Sequence, residues 1–146
     1  MLPHTPWTRV RTLVNWLNLS TLLGLAVARL GGARLERRGR GTWLAGGYRW
    51  DFPRAGAFTI GSVVISTRDL AALRSRPTLL RHEDRHCTQY AWCLGPVMLV
   101  PYLLGVAASW VVAGDHSSYN PFERLAGLRE GGYPEPRTRR SRRRDR

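Results

Sequence analysis

Apolar positions along this chain fall into stretches of different rhythm, and each rhythm predicts a different element. Thr12 to Ala28 is an uncharged, largely apolar run that Asn15, Asn18 and Ser20 interrupt at helical intervals. That spacing predicts an amphipathic helix, packed on the domain or lying on a membrane. Arg9 and Arg11 precede the run and Ala26-Val27-Ala28 ends it, a combination that also fits a secretion signal; the polar interruptions favour the helix. Gly31 to Gly41 reads as a glycine- and arginine-rich connection.

Thr42 to Ser66 changes to a β rhythm. Thr42-Trp43-Leu44 and Tyr48-Arg49-Trp50-Asp51-Phe52 flank Gly46-Gly47, which predicts a hairpin. Ala57 to Ser66 follows as one strand with a bulge at Gly61. Ser66 or Thr67 can cap a short helix from Asp69 to Arg74.

From Pro77 the period becomes helical. Leu79, His82, His86, Gln89, Tyr90 and Cys93 share one side of a helical wheel, widened by Leu80, Glu83, Cys87 and Leu94. Arg81, Asp84, Arg85, Thr88 and Trp92 take the other side, which makes it the solvent side. Pro77 suits the first turn and Gly95-Pro96 stops the helix.

Tyr90 to Gly114 then runs for 25 residues without a charge. Its length suits a membrane span, but Gly95, Pro96, Pro101 and Gly105 predict shorter, broken segments folded as a hairpin. Asn120-Pro121-Phe122-Glu123 opens a last helix, with Asn120 as cap and Pro121 in the first position.

The fold class predicted is α+β. A small antiparallel or mixed sheet at residues 42–66 packs on a helix at 77–94, with apolar helical segments at 12–28 and 96–113. Residues 1–135 form one domain, and 136–146 form a disordered tail.

Composition changes the picture in two ways. All 23 basic residues are arginine and the net charge is +13, of which Pro136 to Arg146 supplies seven arginines against one aspartate. All-arginine usage beside abundant Gly and Ala reflects nucleotide composition, so basicity alone does not call for a nucleic-acid partner, and no base-stacking motif is present. The tail and the apolar segments suit an anionic membrane surface. Cys87 and Cys93 are too far apart on one helix to pair, which fits a reducing compartment, cytoplasmic or membrane-associated.

The chemistry sits on the helix at 77–94. His82-Glu83-x-x-His86 places two imidazoles four residues apart on one face, able to bind one Zn²⁺, with Glu83 beside them as general base. A buried polar cluster of this kind needs partners, and a metal supplies them. Two histidines hydrogen-bonded in a core, with no metal, is the competing reading. Glu123 is either the third ligand or the second half of a capping box with Asn120; Asp115 and His116 are alternative third ligands. Tyr90 and Tyr119 are candidates to stabilise an oxyanion, with Gln89 and Asn120 around the ligands.

The order of strand Ala57-Phe58-Thr59-Ile60-Gly61, helix His82-Glu83-x-x-His86-x-x-Gln89, apolar stretch and Asn120-x-x-Glu123-x-x-Ala126 resembles the short zincin-like metallopeptidases of bacteria, arranged as minimal gluzincins. The resemblance covers roughly residues 57–127. It implies one Zn²⁺ per chain held by His82, His86 and Glu123, with Glu83 activating zinc-bound water to hydrolyse a peptide or protein substrate. Trp92 stands where metzincins carry a third histidine, so that class is excluded. Asp84-Arg85 departs from the apolar or small pair usual between the motif residues. The competing expectation is a non-catalytic, zincin-derived membrane-associated or scaffold protein with a structural metal or none.

Overall fold

Two helices begin the fold, α1 (Pro6–Leu17) and α2 (Ser20–Leu30), bent by 74° at Asn18-Leu19. The computed structural model describes residues 5–39, 41–50, 53 and 55–133. The predicted helical run at 12–28 is therefore two helices. The break is local: Leu19 takes a left-handed backbone (φ 65°), and Asn18 Oδ1 accepts from the Ser20 backbone N–H at 3.0 Å. An Asn side chain that bonds two residues ahead competes with helix continuation.

Four strands follow, β1 (Arg34–Arg38), β2 (Thr42–Gly46), β3 (Phe58–Ile60) and β4 (Val63–Ser66), in the sheet order β1-β2-β4-β3. The outer pairs are antiparallel and the central β2–β4 pair is parallel. The sheet is mixed, as expected, and the protein is α+β.

Its pairing differs from the expectation in three places. β2 pairs with β1, inside the stretch read as a connection. β1 is an edge strand, and edge strands carry charge that hides them from a hydrophobic reading: Glu36 bonds Arg74 at 2.8 Å and Arg37 lies 6.0 Å from the Trp43 ring. Residues 48–50 do not pair with β2; Gly47 N–H donates to Arg68 O, Tyr48 N–H to Ser66 O and Arg49 N–H to Gly31 O. Asp51 and Phe52 of the predicted hairpin lie outside the described residues. Finally, the chain at Gly61 turns instead of bulging. Gly61 (φ 62°) and Ser62 form a two-residue loop that makes β3 and β4 a hairpin.

The sheet is sandwiched. Leu44 and Val64, with Ala57, pack on α3 (Leu70–Arg74) and α4 (Pro77–Trp92) through Leu73, Leu79 and Leu80. Ala45, Val63 and Ile65 face the other way, onto Ala28 of α2 and Tyr48. Alternation along each strand produces both faces, as a two-sided sheet requires. Asp69, and neither Ser66 nor Thr67, caps α3, accepting from Ala72 N–H at 2.7 Å; Ser66 Oγ is taken by the Arg68 N–H.

α4 ends at Trp92, and the chain turns through Leu94 (φ 58°), Gly95 (φ 71°) and a 3₁₀ turn, Gly95–Met98. α5 (Leu99–Ala113) follows, then α6 (Pro121–Ala126) and α7 (Leu128–Gly131). The uncharged stretch is thus a broken pair of segments, with α5 packed on α6, which in turn packs on α4. Among the described residues, Gly95–Ala113 is the single unbent helical run long and apolar enough to cross a membrane. The tail expected at 136–146 lies outside the described residues.

The wheel assignment is corrected at two positions: Leu94, read as inward, lies past the end of α4 and is 74% exposed, and Asp84 is the other. Asp84 does not face solvent; it faces α1, where both its oxygens accept from Arg11, at 2.6 and 2.8 Å. Arg11 is 3% exposed. Cys87, on the same side of α4, is fully buried, and burial pushes its thiol up to about 12. A thiol reagent at pH 8 is therefore expected to label Cys93 in native protein and both cysteines in denaturant; two fast-reacting native thiols would contradict this packing.

Candidate metal centre

Three buried side chains from two helices converge on one point. Pro77 starts α4 in the position where its missing N–H costs nothing, and sixteen residues of helix place His82, Glu83 and His86 on the inward face. His86 Nε2 lies 3.1 Å from His82 Nε2. Glu123 Oε2 lies 3.2 Å from His82 Nε2 and 3.5 Å from His86 Nε2.

Glu123 is free to reach the histidines because Asn120 caps α6 without it, accepting from Phe122 N–H at 3.1 Å. The capping-box reading of Glu123 thus gives way: its carboxylate turns inward, 1% exposed. Asn120 Nδ2 also donates to Tyr102 O, tying α6 to α5. That approach is close enough that a Cβ at Gly105 would lie 2.6 Å from Asn120 Oδ1.

The outer bonds of each ligand settle its chemistry. His82 Nδ1 faces the carbonyls of Gly127 and Ala126, at 3.0 and 3.2 Å. Carbonyls only accept, so Nδ1 carries the proton and the Nε2 lone pair points at the cluster. Gln89 Nε2 donates to Phe122 O at 2.9 Å, which turns the amide oxygen to His86 Nδ1 at 2.7 Å. The same logic gives His86 an inward Nε2 lone pair. Glu123 Oε1 accepts from the Tyr102 hydroxyl at 2.5 Å, so only Oε2 is available inward, and that oxygen has no donor among the described residues.

Two imidazole lone pairs and one orphaned carboxylate oxygen, all buried, demand a positive centre among them. These three residues can hold a metal ion, with their ligand atoms within 4.8 Å of one another. The donor set of two nitrogens and one oxygen fits a divalent transition metal, and three protein ligands leave one position open.

Glu83 completes the cluster. It is 1% exposed, and its Oε2 accepts from Thr59 Oγ1 of β3 at 2.8 Å. Burial raises its pKa above the ordinary carboxylate value, against the pull of His86, His82 and Thr59. Burial would also raise Glu123, but the adjacent rings of His82 and His86 and the Tyr102 hydroxyl outweigh it and hold that carboxyl well below the usual range. For His86, desolvation is outweighed by the adjacent carboxylates of Glu123 and Glu83, and its pKa is raised.

The remaining candidates lie elsewhere. Asp115 Oδ1 accepts from the N–H groups of Ser117 and Ser118, and His116 packs edge-on to Tyr133. Neither belongs to the metal-competent group found among the described residues. Tyr119 lies under Arg124, and Tyr90 is buried beside Cys87.

The tyrosines at the site are Tyr102 and Tyr133, whose ring lies 5.6 Å from that of His82. Tyr102 carries the one hydroxyl between Gly95 and Ala108, a signal that was available in the sequence. Arg85 Nη1 donates to Ala126 O at 2.6 Å and also pairs with Glu130, steadying the carbonyls that orient His82.

Comparison with protein families, with curated proteins and with solved structures finds no match to this chain.

Proposed function

We propose that the protein is a zinc-dependent hydrolase of zincin type, acting on peptide bonds. The observation that carries this reading is the inward convergence of His82 Nε2, His86 Nε2 and the undonated Glu123 Oε2, with Glu83 on the same helix face. A bound zinc ion would lower the pKa of water and polarise a carbonyl. Glu83 is the base in this reading: held by Thr59, it accepts the proton of an attacking water and returns it to the leaving amine. Its raised pKa suits a group that must both take and give a proton. Tyr102 and Gln89 act by fixing the ligands.

β3 supports a peptide as substrate. It is an edge strand, and Thr59 joins it to Glu83. The closing pair Ile60–Val63 of the two-residue hairpin bonds inward, so Thr59 turns its backbone N–H and C=O to the outer edge. An extended peptide can add there as a further strand. In this conformation the triad is nearly sealed, with Tyr133 against His82, so a substrate-ready form requires part of that cover to move.

The test is Glu83→Gln, assayed on a peptide library beside metal content. Hydrolysis is expected to fall by roughly 10²–10⁴-fold with metal retained. Unchanged activity, or a metal-loaded wild type that cleaves nothing, would favour the alternative of a non-catalytic zincin-derived protein with a structural metal.

A further inference from the structure

Two helices of this fold, α1 and α5, are inside out. α1 buries Arg11 and Asn15 and presents Trp7, Leu13 and Leu17 outward, the last 74% exposed. α5 buries Gly105, Ser109 and Ala113 and presents Leu103, Leu104 and Val111, at 60, 67 and 75% exposure. A helix on a water-facing protein does the opposite, with its apolar stripe turned to the core. Small and polar residues inward, with large apolar residues outward, is the arrangement of helices whose outer solvent is lipid.

The two outward faces are joined. The Trp7 and Trp92 rings stand 5.5 Å apart, and a Cβ on Gly95 would lie 2.6 Å from the Asn18 side chain, so the end of α1 abuts the turn that leads into α5. The surface runs from α1 across the 93–98 turn and along α5.

We propose that this surface docks on the face of an anionic lipid bilayer. Charge decides between lipid and a second copy of the chain. Each copy carries +13, so two copies repel, whereas anionic headgroups attract the arginines, including the exposed Arg9 on α1. Trp7, Trp16, Trp92 and Trp110 lie at least partly exposed on it, and tryptophan favours the headgroup boundary.

Docking fits better than crossing. α1 has 12 residues, about 18 Å of helix against a hydrocarbon core of about 30 Å. The run Gly95–Ala113 has the length to cross, but the inner face of α5 is bonded to the domain: Tyr102 donates to Glu123, and Ser109 Oγ accepts from Tyr119 N–H at 2.9 Å. A crossing helix would forfeit both bonds. The surface therefore holds the metal centre about one helix diameter, roughly 10 Å, from the lipid.

The test is flotation of the full chain with phosphatidylcholine vesicles, with and without phosphatidylserine, and with Leu13→Glu/Leu17→Glu and Leu103→Glu/Leu104→Glu as separate double variants. All four leucines are exposed, so native circular dichroism is expected of both variants. Wild type is expected to float with the serine-containing vesicles. Each variant is expected to lose binding by roughly tenfold or more, and tryptophan fluorescence to be quenched best by lipids brominated near the headgroup.

Three results would overturn docking. One is no flotation, whether the protein is monomeric or forms a dimer that covers the surface. Another is flotation abolished by salt and insensitive to both variants. The third is strongest quenching from the bilayer centre, which would mean that α5 crosses.

Discussion

Zinc is expected to raise the melting temperature of the metal-free protein by roughly 10 °C, and His82→Ala, His86→Ala and Glu123→Ala are each expected to abolish that rise. A metal that binds the folded chain at about 100 to 1,000 times its Kd contributes about 3–4 kcal/mol, and each kcal/mol moves a domain of this size by roughly 2–4 °C. The effect is large because the ligands come from α4 and α6, so the ion joins elements far apart in the chain. It is specific because each imidazole already has its Nδ1 bonded outward. Elemental analysis beside calorimetry decides the matter. About one zinc per wild-type chain, lost in all three variants, is the expected outcome. Metal that survives Glu123→Ala would remove that residue from the ligand set, and no uptake by wild type would leave a core of satisfied histidines.

The second large effect concerns an ion pair that no enzyme needs. Asp84→Ala is expected to destabilise the fold by about 3 kcal/mol, read as a shift in urea midpoint with unchanged slope. Arg11 is buried, its Nη1 and Nη2 take both Asp84 oxygens, and its Nε already has no partner among the described residues. Removing the carboxylate strands a guanidinium that cannot lose its proton. Arg11→Met should cost less, because the Asp84 side chain is 20% exposed and can rehydrate. Replacing both, Arg11→Met with Asp84→Leu, is expected to recover much of the loss. A loss below 1 kcal/mol in Asp84→Ala would show that α1 does not stay packed on α4 in solution.

Much of the site was legible because helical spacing is rigid. Once Pro77 and Gly95 bounded α4, the inward set of His82, Glu83, His86 and Cys87 followed from the wheel. Asn120 was legible as a cap from its own chemistry, and its sufficiency is what releases Glu123. Thr59 was not legible, and of Tyr102 only its isolated hydroxyl was, since nothing local to either says that it meets a glutamate brought from elsewhere in the chain.

The same limit explains β1, whose charges and short length leave no apolar alternation to read. It also explains Asp84: a wheel separates polar from apolar, but α1 offers a polar inner face, and a charged residue can point inward when its partner does too. For the outer helices the usual inference, apolar means inside, fails as a rule.

The sheet order also has a kinetic meaning. β1–β2 and β3–β4 are each closed by a few residues, so both pairs can zip locally, on the microsecond scale of isolated hairpins. The parallel β2–β4 contact must first close the loop between Gly46 and Val63, and parallel pairing is the slower, non-local step. Folding is then expected to be limited by the docking of two preformed hairpins. In pulse-labelled hydrogen exchange, amides of β2 bonded to β4 would gain protection after those bonded to β1. Glu83 gains its Thr59 contact only once α4 settles on the assembled sheet, so any hydrolytic competence would be the last property the chain acquires.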